Sequence, residues 1–180
     1  MTKTPKYFMY FPGNYRWSAA FVNMLGRAAY GGADISELHK IGRALAGKAA
    51  EDDAAWFDAC VKVADEVRGH ADRFAASGHA VSAAAFYLRA CHYYQMGERF
   101  RTPKDKTALD AYRTAVDCFH RFAALTDVKI DIVEVPFEGK ACQAISFMPR
   151  MRNRRARRAS YSLTASTSPR RSSTSPACRS

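Results

Sequence analysis

Asp127-Val-Lys-Ile-Asp-Ile-Val-Glu-Val-Pro-Phe-Glu-Gly-Lys140 is where the chain changes its period. Upstream, apolar residues recur every three or four positions. Here they alternate, and a period of two belongs to a strand as surely as a period of 3.6 belongs to a helix. The alternation places Val128, Ile130 and Ile132 on one face, with Asp131 and Glu134 read as the solvated face. Pro136 to Lys140 has the composition of a turn, and residues 141–147 read as a returning strand. Two strands alone are marginal in water, so the pair reads as the start of a larger sheet.

Before this switch, five helices are expected. Phe11-Pro-Gly-Asn14 makes a turn, and residues 15–30 put Trp17, Phe21, Met24, Leu25 and Ala28 on one helical face, ended by Gly31-Gly32. Asp34-Ile-Ser-Glu37 is a capping box, with Asp34 accepting from early backbone N–H groups and Glu37 reaching back to the cap. A short helix follows through Leu38, Ile41 and Leu45 to Gly47. Asp52 or Asp53 opens the longest helix, running to Ala76 with Trp56, Cys60, Val63, Val67, Ala71 and Phe74 as its apolar stripe. Gly78 is its left-handed cap, and the next helix runs from His79 to about Phe100. So short a link forces an antiparallel hairpin. Thr102-Pro-Lys-Asp105 reads as a helix start with Thr102 as cap and Pro103 in the first turn. Leu109, Tyr112, Val116, Phe119 and Ala123 form the stripe of the fifth helix.

Residues 150–180 have a different composition. They hold nine of the 28 Lys and Arg residues and none of the 17 acids, which leaves 19 basic against 17 acidic residues before them. The formal charge of +11 therefore belongs mostly to this segment, and the body is nearly neutral. Three readings stand. Met151-Arg-Asn-Arg-Arg-Ala-Arg-Arg158 has the charge density of a disordered arm that neutralises phosphates. Ser160, Ser162, Ser168 and Ser172 suit a phosphorylated Ser/Arg segment. The third is a frameshift, because abundant Arg without Lys is what a GC-rich gene gives out of frame. Shifting Leu163 to Thr174 by one base allows F-D-G-F-D-V-T-K-E-I-L-Y, and Ala159-Ser-Tyr-Ser162 before it allows a run of Val and Leu, an apolar strand running into the F-D-G turn. On that reading the tail is disordered, and a basic pI says nothing of partners.

Other classes are set aside on composition and spacing. Cys60, Cys91, Cys118, Cys142 and Cys178 form no C-x-x-C pair and read as small buried residues of a reducing compartment. No stretch has the form of a signal peptide or membrane span, so a cytoplasmic location is expected. His39, His70, His79 and His120 lack ligand spacing, and no metal or other cofactor is expected. Cys91 and His92 are helical neighbours pointing about 100° apart, which rules out a thiol–imidazole pair, with Cys91 buried and His92 at the flank.

The segment Ala75-Ala-Ser-Gly-His-Ala-Val-Ser-Ala-Ala-Ala-Phe-Tyr-Leu-Arg-Ala-Cys-His-Tyr-Tyr94, with Glu98-Arg-Phe100 and Val133-Glu-Val-Pro-Phe-Glu-Gly-Lys140, resembles the α/β-hydrolases with an N-terminal helical cap. The nearest group contains 2,6-dihydropseudooxynicotine hydrolase and related bacterial esterases and acyl hydrolases. The likeness spans residues 7–149. It implies a mainly α chain: a five-helix cap over residues 1–126, the first β-hairpin of an incomplete hydrolase sheet over 127–149, and a disordered basic tail over 150–180. It also implies a serine nucleophile on a G-x-S-x-G elbow with an acid and a His. No such elbow occurs in these 180 residues, so no catalytic residue is assigned and the chain is expected to be inactive, a truncated form of an enzyme acting on a small ester or acyl substrate. The cap of such an enzyme supplies aromatic walls, for which Trp17, Phe21, Tyr87 and Tyr94 are the candidates. Two rivals remain: a tetratricopeptide-like interaction module built on the helical hairpin, and a nucleic-acid binder acting through the tail, although nucleic acid is not the expected partner.

Overall fold

The computed structural model describes residues 8–138, 140–148 and 160–162. The order is α1 (Tyr15–Arg27), a 3₁₀ turn (Ala28–Tyr30), α2 (Ile35–Ala44), α3 (Asp53–Ala76), α4 (Ala80–Phe100), α5 (Lys106–Leu125), β1 (Lys129–Phe137), β2 (Lys140–Met148) and β3 (Ser160–Ser162). It divides into two compact units, Met1–Asp127 and Val128–Ser180. The basic run at 151–158, Ser168, Ser172 and the side chains of Cys142 and Cys178 lie outside the described residues.

In the first unit, short polar side chains start the helices. Asn14, Asp52 and Asp105 accept from the backbone N–H groups of Trp17, Ala55 and Ala108, each satisfying a donor that the first helical turn leaves without a partner. Gly78 closes α3 at φ +76, with His79 N–H bonding Phe74 O at 2.9 Å and Gly78 N–H bonding Ala75 O at 3.1 Å. That left-handed position is one an L side chain adopts only at a cost. The hairpin of α3 and α4 is thereby set. Ala83, Ala84 and Ala90 are buried on α4, so its backbone packs closely on its neighbours.

The interior is aromatic. Trp17 and Trp56 lie 5.4 Å apart, centroid to centroid, and Phe21 meets Trp56 at 5.9 Å. Phe11 and Phe100 close the cluster, each in edge contact with Trp56. Burial of each such ring contributes on the order of 2–3 kcal/mol. Cys60, Cys91 and Cys118 are buried and unbridged, as small apolar residues within helical stripes should be.

Three local readings are corrected. Helix α5 starts at Asp105, not Thr102: Asp105 carries the cap bond to Ala108 N–H, and Pro103 precedes the helix after a cis peptide bond. Glu37 does not return to its own cap, because Arg89 and the Tyr93 hydroxyl both bond its Oε2. The face that α5 buries is Ala108, Ala111, Ala115 and Cys118, while Leu109 is 37% exposed and Tyr112, Val116, Phe119 and Ala123 are only half-buried. Small residues win the contact with α4 because two helices approach most closely where side chains are shortest, and the larger residues are left at the flank.

In the second unit β1 and β2 pair antiparallel along their whole length, from Lys129 with Met148 to Phe137 with Lys140, so the connection is two residues long. Glu138 takes φ +46 at this turn. Asp131 and Glu134 do not share a solvated face: odd and even positions of a strand point to opposite sides. Lys129 pairs with Asp131 at 3.4 Å. Within the segment assigned to a disordered tail, Ser160–Ser162 add a third strand, with Ser162 opposite Ile145 and Ser160 opposite Phe147. The outer edge of β2 offers unpaired backbone donors and acceptors, and three residues of extended chain satisfy some of them. Ala144 is the buried apolar residue described in this unit, whereas Val128, Ile132, Val133 and Val135 are 48%, 40%, 37% and 39% exposed.

Candidate functional site

The hairpin of α3 and α4 carries a polar seam that its geometry dictates. Asp65 and Asp72 are seven residues apart on α3, as are Tyr87 and Tyr94 on α4. A seven-residue step is two helical turns, so each pair shares a face. The antiparallel fold then sets Asp72 against Tyr87 and Asp65 against Tyr94. The Tyr87 hydroxyl donates to Asp72 Oδ1 at 2.6 Å, and the Tyr94 hydroxyl donates to Asp65 Oδ1.

Helix α5 adds a cation to the first pair. Arg121 Nη1 donates to Asp72 Oδ1 and to the Tyr87 hydroxyl, each at 3.1 Å, and its Nε meets Asp117 Oδ2 at 3.0 Å. The guanidinium also lies 5.5 Å from the centroid of the Tyr87 ring. Burial, and then the hydrogen bond to Asp72, push the Tyr87 phenol above its usual range. Burial and Asp65 do the same to Tyr94. A carboxylate that accepts from a phenol stabilises the protonated phenol. Both tyrosines are therefore fixed donors, unsuited to take a proton near neutrality. Beside them is an open recess of about 270 Å³ lined by Ala75, Tyr87, Arg121, Ala124 and Leu125.

A second polar cluster joins α2 to α4. Arg89 Nε donates to Glu37 Oε2 at 3.0 Å, and the pair is largely covered, with side-chain exposures of 15% and 13%. The Tyr93 hydroxyl donates to the same oxygen at 2.7 Å and accepts from Asp34 N–H at 2.8 Å. Arg89 also lies 4.1 Å over the Phe86 ring. Next to it, His92 Nδ1 is 2.6 Å from Gly32 O, so it donates to that carbonyl. Burial pulls the imidazole below its ordinary pKa. Each of these side chains thus has at least one polar partner on another helix or turn, and such a network clasps the elements together.

The four aromatic candidates separate accordingly. Trp17 and Phe21 belong to the bundle interior, at 2% and 0% exposure. Tyr87 borders the recess, and Tyr94 lies two turns further along the seam. Trp17 Nε1 is buried without a hydrogen-bond partner among the described residues, whereas Trp56 Nε1 donates to Met96 O at 2.9 Å. Asp65, Asp72 and Arg121 escaped the sequence reading. They were findable: Asp72 with Tyr87, and Asp65 with Tyr94, are equally distant from the His79–Ala80 junction about which the hairpin reverses.

None of this is hydrolytic machinery. Burial raises the thiols of Cys91 and Cys118 to about 12 and that of Cys60 further, so none supplies a thiolate. Among the described residues, no three His, Cys, Asp or Glu side chains group to hold a metal ion. No helix among them is long and apolar enough to cross a membrane.

A five-helix unit leading directly into an antiparallel strand pair is the arrangement implied by the α/β-hydrolase resemblance, and the chain is homologous to a portion of such enzymes. It is 31% identical over 135 residues to the hydrolase acrC of Aspergillus aculeatus, an alignment covering 73% of this chain and 30% of that protein. It is 26% identical over 141 residues to the alpha/beta hydrolase pydG of Acremonium sp, covering 77% and 32%. It is 29% identical over 121 residues to the 20-hydroxy-prefusarin hydrolase FUS2 of Gibberella moniliformis, covering 66% and 28%. The chain thus spans about 30% of the length of these relatives. They are fungal, whereas the sequence resemblance was to a group with bacterial esterases. No family model matches the chain.

Proposed function

We propose that this chain is the helical cap and opening strands of a small-molecule α/β-hydrolase, and that by itself it does not hydrolyse. The observation that carries the reading is the β1–β2 hairpin: it follows the helices directly and exposes apolar side chains on both faces, Ile132 on one and Val133 on the other. Strands with two apolar faces are those of a sheet covered on both sides by helices, as in an α/β-hydrolase. The 180 residues encode no G-x-S-x-G elbow. The intact counterpart would cleave an ester or activated C–C bond through serine acylation, with the cap helping to exclude water. The name of the Gibberella relative gives its substrate as 20-hydroxy-prefusarin, which supports a small organic substrate here. The abrupt gain of Arg after position 149 supports a frameshift there.

Two measurements test this. The purified chain should not turn over a short-chain aryl ester above the buffer rate, and saturable turnover would refute it. Sequencing the gene should reveal a single-base change near codon 150, and restoring that base should yield a longer, active hydrolase. An intact frame through codon 180 would remove the frameshift from the proposal.

A further inference from the structure

We infer that the recess at the end of the polar seam is a subsite for one neutral, carbonyl-bearing acyl or aryl group. This inference rests on the hydrolase reading for its biological sense, but not for its geometry. Ala75 ends α3, Ala124 and Leu125 end α5, and Tyr87 comes from the second turn of α4. Two alanines where neighbouring turns carry larger residues leave a notch with an apolar floor. The volume, about 270 Å³, lies just under the usual range for drug-sized ligands. Open on one side, it has room for one acyl or aryl group against its floor.

The polar content fixes the ligand's charge. Among the described residues Arg121 is the one cation in the lining, and it is already paired with Asp72 and Asp117. Arg68 lies 3.9 Å from Asp72 on the other side. Two arginines thus face two carboxylates, so the surroundings offer an anion no net positive charge and a cation no surplus acid. A neutral carbonyl asks only for a hydrogen-bond donor. Arg121 Nε and Nη1 are committed to Asp117, Asp72 and Tyr87, while Nη2 enters none of these bonds. Donation to a ligand carbonyl therefore displaces nothing. The Tyr87 hydroxyl, which already donates to Asp72 and accepts from Arg121, holds the guanidinium plane in position.

The test is a titration of the ¹⁵N-labelled full chain with benzylacetone, a neutral phenyl-bearing ketone with neither an ester nor an activated C–C bond. Hydrocinnamate, its anionic analogue, is the comparison. Saturable shifts should appear at Ala75, Tyr87, Ala124 and Leu125 amides, with hydrocinnamate at least tenfold weaker. Ala124→Trp, which fills the notch from an exposed position, should abolish saturation, whereas Ala85→Trp, on an exposed position of α4 outside the recess, should leave it unchanged. Absence of saturable shifts, an Ala124→Trp variant that binds as well as the parent, or tighter binding of hydrocinnamate each overturns the inference. These outcomes are independent of ester turnover, which tests the hydrolase reading separately.

Discussion

Replacing each tryptophan by phenylalanine should have very different costs, although both are buried and share one cluster. Trp56 is 0% exposed and its Nε1 donates to Met96 O at 2.9 Å, tying α3 to α4. Trp56→Phe loses that bond, worth about 1 kcal/mol net, and leaves a gap costing roughly another 1–2 kcal/mol, given that complete truncation of a large aromatic costs about 3–5 kcal/mol. Trp17 is 2% exposed and its Nε1 has no acceptor among the described residues. Trp17→Phe leaves a similar gap but removes a desolvated donor, recovering about 1–3 kcal/mol. The two variants should differ by roughly 2–4 kcal/mol, with Trp17→Phe near neutral. With a urea m-value of about 2 kcal/mol/M, their midpoints should lie about 1–2 M apart. The chain has two tryptophans, so each variant keeps a single indole whose fluorescence follows unfolding. Equal midpoints would refute the reasoning, because they would mean that the Trp17 N–H is satisfied.

Three further outcomes follow from the same geometry. A Cβ on Gly42 would lie 2.3 Å from Tyr10 Cε1, and Tyr10 also stacks on Phe21 at 4.5 Å and bonds His39 at 2.8 Å. Gly42→Ala should therefore cost about 1–2 kcal/mol by displacing that ring, yet stabilise a Tyr10→Ala background by up to about 1 kcal/mol through helix propensity; additive effects in a double-mutant cycle would contradict this contact. Stability should fall as pH drops from about 6.5, because unfolding lets His92 take a proton that burial opposes in the folded chain. His92→Gln should flatten that slope, and an unchanged slope in urea midpoints from pH 7 to 5 would exclude His92 as its source. The depressed carboxyl of Asp34, whose hydrogen bond from Ser36 is the main cause, adds a loss only below about pH 4. Ending the chain after Asp127 should preserve the helical unfolding transition by circular dichroism and reduce aggregation by light scattering, since among the described residues the large buried side chains lie in the first unit. A loss of the transition would show that the helices depend on the sheet.

The helices were legible because each is bounded by chemistry that works locally. Asp34 and Asp52 start a helix through their side-chain oxygens, and Gly78 stops one through its left-handed backbone, whatever packs around them. Long-range competition was not legible. Glu37 has the spacing to return to its cap, but Arg89 and Tyr93 are 52 and 56 residues away and offer a charged pair and a phenol in place of one N–H. The stripe of α5 failed for a related reason. Hydrophobicity ranks Leu109 and Val116 above Ala111 and Ala115, but the shortest distance between helices is set by small side chains, and α4 and α5 meet through them.

The sheet shows the opposite balance. Its two strands are readable from period and composition, but the turn is shorter than composition suggests, because Pro136, Phe137 and Lys140 are paired within β1 and β2, and the alternation does not give a solvated face. Asp131 and Glu134 are three apart and must point to opposite sides of β1. Each face then combines an acid with exposed aliphatics: Glu134 with Ile132, and Asp131 with Val133 and Val135. A half-buried hairpin that folds for its own sake would separate these types by face. One whose two faces are both apolar at their centre expects cover on each side. The exposed aliphatics on both faces of β1 are therefore what the proposed hydrolase reading asks of a strand in a sheet that helices cover on each side.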